Sequence, residues 1–214
     1  MKIMVATPCG AKLDKDYVES LFGMIINPFP GASIQMMFVE GSLTYDARNT
    51  IARNAIEGNF DRVLWIDSDM VFAPETLKRL SARLDEGRDF VAALAFRRKA
   101  PHKPVIYSQI GVVKDTPTMV AYEPYPKDKI FEIAGSGFGC VMTSVSLLRA
   151  CWDGFGLPFS PRLGFGEDVT FCLECEQLGY KMYCDSSIKV GHIGQLIINE
   201  EVYDAEIQRN HPGT

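Results

Sequence analysis

The chain has 214 residues, with 22 Lys plus Arg against 27 Asp plus Glu and a net charge of -5. A hydrophobic fraction of 47% excludes a disordered chain, and the length fits a single domain, residues 1–214. The mildly acidic charge gives no general attraction for nucleic acid. No apolar run approaches the roughly 18 residues that cross a bilayer, and the N-terminal apolar run is too short for a signal peptide. We therefore expect a cytoplasmic protein.

The first part of the sequence alternates strands and helices. Apolar runs predict strands over 2–7, 33–39, 62–67 and 90–96. Helical spacing and start signals predict helices over 14–26, 46–58 and 74–84, the first of them ended by Pro28–Gly31. This order is typical of a doubly wound, mostly parallel α/β sheet that binds nucleotides.

The second part begins with a proline-rich insertion over 97–126, which holds five of the 12 prolines and two short strand candidates, 105–107 and 119–122. We interpret it as a loop-rich or hairpin insertion. The remaining sequence predicts a short helix over 144–151, a loop over 153–166, a helix over 168–178 and a strand over 181–184 that leads to 190–192.

Two carboxylates follow the third predicted strand. Asp67 and Asp69 are two positions apart, and because side chains alternate along an extended chain, both can point toward one ligand. Carboxylate oxygens suit Mn²⁺ or Mg²⁺, which keep coordination positions free for phosphate. The ligand crevice of an open α/β sheet lies beyond the carboxyl ends of its strands. The triplet Asp67-Ser68-Asp69 is therefore a candidate metal and nucleotide site, and a capped turn is the structural alternative.

A second acidic pair, Glu167-Asp168, follows Gly164-Phe165-Gly166 and begins a predicted helix. Acidic residues are favoured in the first turn of a helix, so capping is one explanation of the pair. The other is chemistry, in which one carboxylate accepts a proton from an attacking hydroxyl.

His192 lies between Gly191 and Ile193-Gly194, after a short predicted strand. A neutral imidazole can complete a metal site that two carboxylates begin. The alternative is a structural histidine, and the sequence does not show which ring nitrogen is free.

The order and spacing of these motifs resemble the GT-A fold glycosyltransferases, especially small bacterial and phage members of the family-two-like group. The matching segments are Asp67-Ser68-Asp69, Gly-Ser-Gly-Phe-Gly at 135–139, Gly-Phe-Gly-Glu-Asp at 164–168 and Gly-His at 191–192. The resemblance covers nearly the whole chain. It implies one GT-A domain, in which 1–96 binds a nucleotide sugar and 97–214 binds the acceptor and carries the catalytic residues, in a bacterium or a phage-infected host.

The resemblance also implies a role for each matching residue. The metal ligands would be Asp67, Asp69 and His192. The donor would contact Thr7, Pro8, Arg48, Asn49, Asp67 and Ser68. The acceptor would contact Gly137, Phe138 and Gly166, and the base would be Asp168 or else Glu167.

The activity implied is metal-dependent hexosyl transfer from a nucleoside-diphosphate sugar, with Mn²⁺ or Mg²⁺ and with UDP as the favoured nucleotide. Inversion with Asp168 as general base is the expected outcome. The acceptor stays open between a saccharide, a lipid-linked precursor, a protein and DNA, and so does the oligomeric state. The chain lacks the C-terminal Gln/Arg-x-x-Arg-Trp motif of processive synthases, which disfavours a polymerising enzyme.

Three other functions compete with this interpretation. A nucleotidyltransferase would share the sheet and the aspartates, but the segment after the first strand, 7–12, is a poor match to phosphate-binding loops. A nucleotide- or carbohydrate-binding module would lack a working base. A zinc site would use Cys172, Cys175, Cys184 and His192, although the helical spacing of Cys172 and Cys175 favours core packing. The cysteines accompany no secretory segment, so we expect reduced, buried thiols.

Overall fold

A computed structural model of the protein describes residues 1–27, 29–41, 43–194 and 197–210. In these ranges the secondary-structure elements follow one another in this order: β1 (Lys2–Cys9), α1 (Lys15–Ile25), β2 (Ser33–Glu40), α2 (Thr44–Glu57), β3 (Arg62–Ile66), β4 (Met70–Val71), α3 (Thr76–Asp85), β5 (Phe90–Leu94), β6 (Ile106–Val113), β7 (Thr116–Ala121), β8 (Ile130–Ile133), β9 (Gly135–Ser136), β10 (Cys140–Ser144), α4 (Val145–Phe155), α5 (Glu167–Gln177), β11 (Met182–Lys189), β12 (Gly191–His192) and α6 (Glu200–Asn210).

A seven-stranded sheet in the order β2-β1-β3-β10-β5-β11-β8 forms the centre of the fold. Its strands β2, β1, β3, β5 and β11 run in one direction, whereas β10 and β8 run in the other. The middle strands are apolar on both faces because helices cover both sides of the sheet. The predicted α/β class and mostly parallel sheet are thus confirmed.

Two hydrophobic clusters lie on the two faces of the sheet. One holds the buried side chains of α1 and α3, among them Tyr17, Leu21 and Leu80. The other holds those of α2, α4 and α5. Its centre is an aromatic group in which the Phe159 and Phe171 rings stack with 4.6 Å between centroids.

Two small sheets lie beside the large one. The predicted insertion forms a hairpin of β6 and β7, whose two turn residues, Lys114 and Asp115, both have positive φ, as in a type I′ turn. This hairpin joins β9 in a three-stranded sheet. Strands β4 and β12 form a two-stranded sheet that pairs His192 with Met70.

The sequence predicted most boundaries within two residues but missed the strands β4, β8, β9, β10 and β12 and the helix α6. Strands β4 and β8 are short, and α6 has a weak apolar stripe in which Tyr203 is its buried residue. Helix α4 and strand β11 extend further than predicted. Pro28, part of the predicted end of the first helix, lies outside the described residues. No helix in the described ranges is long and apolar enough to cross a membrane.

Candidate functional site

The Asp67-Ser68-Asp69 triplet lies at the carboxyl end of β3, in the turn that leads to β4. The turn is held by two backbone hydrogen bonds, from Asp67 N to Gly139 O at 3.0 Å and from Met70 N to Asp67 O at 3.2 Å. Gly139 directly precedes β10. Because β10 is antiparallel to β3, its start lies beside the end of β3, and it brings the glycine-rich segment 135–139 to the triplet.

An open cleft of about 240 Å³ lies at the carboxyl ends of β1, β2 and β3. The triplet forms one wall, and the other lining residues come from the ends of β1 and β2 and the start of α2: Pro8, Cys9, Gly10, Gly41, Thr44 and Ala47. The volume is below the roughly 300–1,000 Å³ of pockets for drug-sized ligands. The cleft therefore suits one part of a larger ligand, such as a nucleoside, with the rest extending over the surface.

Arg48 on α2 joins the two acidic motifs. Its Nη2 donates to Asp67 Oδ1 at 2.8 Å, and its Nε lies 3.4 Å from Glu167 Oε1. The side chain is only 3% exposed, and Nη1 has no hydrogen-bond partner among the described residues. The guanidinium lies over the Phe138 ring at 5.1 Å, which favours a cation at this position. A buried cation thus offsets the charges of carboxylates from distant parts of the sequence.

Asp69 has a different set of partners. Its Oδ2 lies 3.1 Å from His192 Nε2 and accepts a hydrogen bond from Arg98 Nη1 at 2.9 Å. His192 Nδ1 lies 3.0 Å from the Phe96 carbonyl oxygen, which can only accept. We therefore assign the Nδ1 proton to that bond, which leaves Nε2 facing Asp69. A histidine oriented in this way through its second nitrogen is typical of metal ligands.

Burial and the crowding of charge change the pKa values of these groups. Burial raises the pKa of Asp67 to about 6; Arg48 opposes this shift, whereas Asp69, Asp168 and Glu167 add to it. Burial would also raise the pKa of Asp69, but the hydrogen bond from His192 and the charges of His192 and Arg98 outweigh it, so the pKa is lowered. The cleft is therefore acidic and partly compensated by internal cations.

Asp168 lies on the first turn of α5, next to the glycine segment. A Cβ atom added to Gly137 would lie 3.5 Å from Asp168 Oδ2, and one added to Gly166 would lie 3.1 Å from Oδ1. Asp168 Oδ1 accepts from Val169 N at 2.7 Å. Burial, and then the charge of Glu167, raise the pKa of Asp168. The two predicted acceptor glycines thus border a carboxylate whose proton affinity is increased.

Three residues with predicted ligand contacts are buried instead. Thr7 lies within β1, and its hydroxyl is 2.5 Å from Tyr17 Oη. Asn49 Oδ1 accepts from Phe159 N at 3.0 Å, which anchors the loop before α5. The Phe138 ring packs between Trp65 and Phe171. Their ligand-binding roles stay predictions. In this structure the three side chains make their contacts inside the fold, next to the site.

Within the described ranges, no three His, Cys, Asp or Glu side chains gather closely enough to hold a metal ion. Asp69 and His192 form a pair, whereas Asp67 is turned toward Arg48. The donor pair fits a divalent cation in its chemistry, because carboxylate and imidazole both bind Mn²⁺. The zinc alternative finds no ligand set there: Cys172 donates to Ser136 O, and Cys175 Sγ lies 3.9 Å from Cys151 Sγ.

Sequence reasoning missed two features of the site. Arg98 lies in a basic run with Arg97 and Lys99, and the sequence gives no sign of a partner for it. Arg48 was assigned to the donor, not to the link between the motifs. The order of charged residues carried no signal for either contact, because both depend on how distant segments meet in three dimensions.

The sequence matches no known protein family and no curated protein. Among solved structures, the chain is similar to the crystal structure of A197 from STIV, with a TM-score of 0.63 and 17% sequence identity. The alignment covers 91% of this chain and 86% of A197. A likeness at this identity shows that the two chains share a fold.

Proposed function

We propose that the protein is a metal-dependent GT-A glycosyltransferase, which moves a sugar from a nucleoside-diphosphate donor, with UDP favoured, to an acceptor hydroxyl. The observation that carries this proposal is the bridge from Arg48 to both Asp67 and Glu167. Two acidic motifs that are distant in sequence, and that resemble the donor and base motifs of this enzyme class, meet beside one cleft at the carboxyl ends of the strands.

The donor would lie in the cleft with its nucleoside against Pro8, Cys9 and Thr44 and its diphosphate toward the triplet. The lining supports this orientation, since its polar groups concentrate at Asp67, Ser68 and Asp69. A Mn²⁺ or Mg²⁺ ion held by Asp69 and His192, with Asp67, would neutralise negative charge on the leaving diphosphate.

Asp168 would act as the general base on the acceptor hydroxyl. Its raised pKa favours this role, because a more basic carboxylate accepts a proton more readily. Because Gly137 and Gly166 have no Cβ atoms, the backbone of both residues comes close to the oxygens of Asp168. Glu167 is a weaker candidate because it faces Arg48. Attack on the side of the sugar opposite the diphosphate would invert the anomeric configuration.

The first test of the proposal is donor binding. Calorimetric titration with UDP, GDP and CMP, with and without Mn²⁺, is expected to show binding of a nucleoside diphosphate that requires the metal. The double variant Asp67→Asn, Asp69→Asn should lose this binding while keeping its circular dichroism spectrum. Binding that is indifferent to both the metal and the aspartates would overturn the proposed metal site.

The second test is turnover with Asp168→Asn. Release of UDP from UDP-hexoses, with water as the acceptor, gives a readout that needs no knowledge of the natural acceptor. We expect the variant to bind UDP and Mn²⁺ normally and to release UDP about 10²–10⁴-fold more slowly, the usual contribution of a general base. Glu176→Gln, a change at an exposed carboxylate on the same helix, is the matched control.

The same pair of variants separates an enzyme from a binding module. A module that only holds nucleotides would bind UDP and show no release in the parent protein, so Asp168→Asn would have nothing to reduce. Release of inorganic pyrophosphate rather than UDP would instead indicate a nucleotidyltransferase.

A further inference from the structure

The two edges of the central sheet differ in length and in charge. At one edge β8 has four residues and carries Glu132, which pairs with Lys181 at 2.8 Å. At the other edge β2 has eight residues and carries one charge, Glu40, at its end. Short, charged edges resist pairing with another strand, whereas long, apolar edges favour it.

Alternate residues of β2 direct their backbone groups away from the sheet. Ser33 N donates to Met1 O at 2.8 Å, so the backbone of Ser33 faces β1. The pairing with β1 continues without a bulge to the end of β2. The N–H and C=O groups of the residues between the paired ones therefore point outward, and these residues are Ile34, Met36, Phe38 and Glu40.

An exposed apolar surface lies beside this edge. Contacts on one flank of α1, such as Ser20 with Phe72 N and Asn27 with Lys78, face β4 and α3. The opposite flank of α1 therefore lies on the β2 side. It exposes apolar side chains, and so does the β2 face next to it; these side chains are Phe22, Ile25, Ile26, Met36 and Phe38.

The apolar area of this surface is more than half of what a standard interface buries on each partner. With roughly 200 Å² for a large apolar side chain, the exposed fractions of the five residues amount to about 500 Å². A standard interface buries about 800 Å² on each partner. The backbone edge of β2 and the polar atoms around it can supply the difference.

We propose that β2 pairs antiparallel with the β2 of a second copy, across a two-fold axis at Met37, and forms a homodimer with one continuous sheet. This register pairs the outward backbone groups of Met36 with those of Phe38, and those of Ile34 with those of Glu40. It also holds the two Glu40 carboxylates at opposite ends of the strand pair, so no like charges face each other. A two-fold interface must be self-complementary, and the outward N–H and C=O groups of β2 can pair with the same groups of a second β2.

The test uses two methionines in comparable positions. Met36 is 39% exposed on β2, and Met119 is 41% exposed on β7. Sedimentation velocity over a wide concentration range should show a dimer for the parent protein. Met36→Lys inserts two unpaired charges into the interface and should weaken the dimer roughly 100-fold or more. Met119→Lys should leave it unchanged.

A cross-link tests the register independently of any loss of stability in the lysine variant. Residues 37 of the two copies face each other in a non-hydrogen-bonded pair, with Cα atoms about 4.5 Å apart, a distance that a disulfide can span. In a Cys9→Ser background, Met37→Cys should form a covalent dimer under mild oxidation, reversible by dithiothreitol, and Met119→Cys should not.

Two results would overturn the proposal. One is a monomer at every concentration with no cross-link in the Met37→Cys variant, which would leave the edge free for a strand of another protein. The other is a dimer that Met36→Lys does not weaken and that Met37→Cys does not cross-link, which would assign the contact to a different surface.

Discussion

The two aspartates of the triplet are both paired with arginine, but in different surroundings. Arg48, the partner of Asp67, is 3% exposed and rests on Phe138, whereas Arg98, the partner of Asp69, is 52% exposed on a loop. A buried guanidinium cannot leave without leaving carboxylates uncompensated, whereas an exposed one can turn into water. The bond from Arg48 to Asp67 Oδ1 is therefore a fixed part of the site, whereas the bond from Arg98 to Asp69 is one that a ligand can replace.

The largest expected effect is on the buried pair. Arg48→Gln removes the cation between Asp67 and Glu167, and we expect it to lower the free energy of unfolding by about 3 kcal/mol, as for a buried ion pair that loses one partner. Urea denaturation followed by circular dichroism measures this. Arg53→Gln, at an exposed arginine of the same helix, should cost less than about 1 kcal/mol. If Arg48→Gln and Arg53→Gln lowered the free energy of unfolding equally, the buried ion pair of Arg48 would not contribute more than an exposed arginine.

A third pair reverses the arrangement, because here the carboxylate is buried and the arginine is exposed. Glu174 is 3% exposed and lies 3.2 Å from Arg162. Its oxygens accept no hydrogen bond from the described residues, and burial raises its pKa to about 7 against the attraction of Arg162. The folded protein therefore keeps this proton between about pH 4.5 and pH 7, where the unfolded chain has lost it. Stability falls as the pH rises through this window.

Glu174→Gln should remove that pH dependence. We expect the variant to match the parent at pH 5 and to be more stable at pH 8, by on the order of 3 kcal/mol, or about 2–4 °C in Tm for each kcal/mol. Thermal unfolding at the two pH values measures the difference. Glu176→Gln on the same helix should show no such difference from the parent at either pH. If the difference in Tm between the parent and the variant were the same at pH 5 and at pH 8, Arg162 would fully compensate the buried charge of Glu174.

The smallest effect is expected at the exposed pair. Arg98→Gln should hardly change stability, because exposed ion pairs contribute about 0–1 kcal/mol. It removes one of the two contacts of Asp69 Oδ2 and leaves the one with His192, so Mn²⁺ should bind to the protein without nucleotide about 3–10-fold more tightly, as measured by electron paramagnetic resonance of the free ion. Lys99→Gln, an exposed neighbour, is the control. Unchanged Mn²⁺ affinity would mean that Arg98 does not compete for this oxygen.

Much of the fold was predictable because its signals are local. The apolar runs of β1, β3 and β5 and the start signals of α3 and α5 lie within a few residues of the elements that they predict. Strand β10 was not predicted at all, and its antiparallel direction has no local signal because an apolar strand reads the same in either direction. The exposure of β2 was also hidden: the run Ser33–Glu40 resembles an interior strand, and only the sheet order shows that it lies at an edge.

The sequence indicated candidate residues for the site but not the contacts between them. Asp67 and Asp69 were predicted because they follow a strand end, and His192 because it follows a short strand between glycines. Asp168 was predicted because it begins a helix after a glycine-containing segment, and the roles of all four residues stay predictions. Their partners Arg48 and Arg98 lie on other elements, at sequence separations that follow no periodic rule. Burial was also not visible in the sequence: Asn49 and Thr7 were assigned to the ligand through the resemblance to GT-A glycosyltransferases, and the structure places both side chains inside the fold.

The insertion of β10 between β3 and β5 has a mechanical consequence. Strands from residues 1–96 and from residues 97–214 alternate in one sheet, and β10 is hydrogen-bonded on both sides to strands of the first half. The two halves cannot separate by a hinge motion unless the hydrogen bonds of β10 with β3 and β5 break. A ligand of the proposed site would therefore enter and leave without a separation of the two halves, and the exposed Arg98 beside Asp69 is the side chain that it would displace.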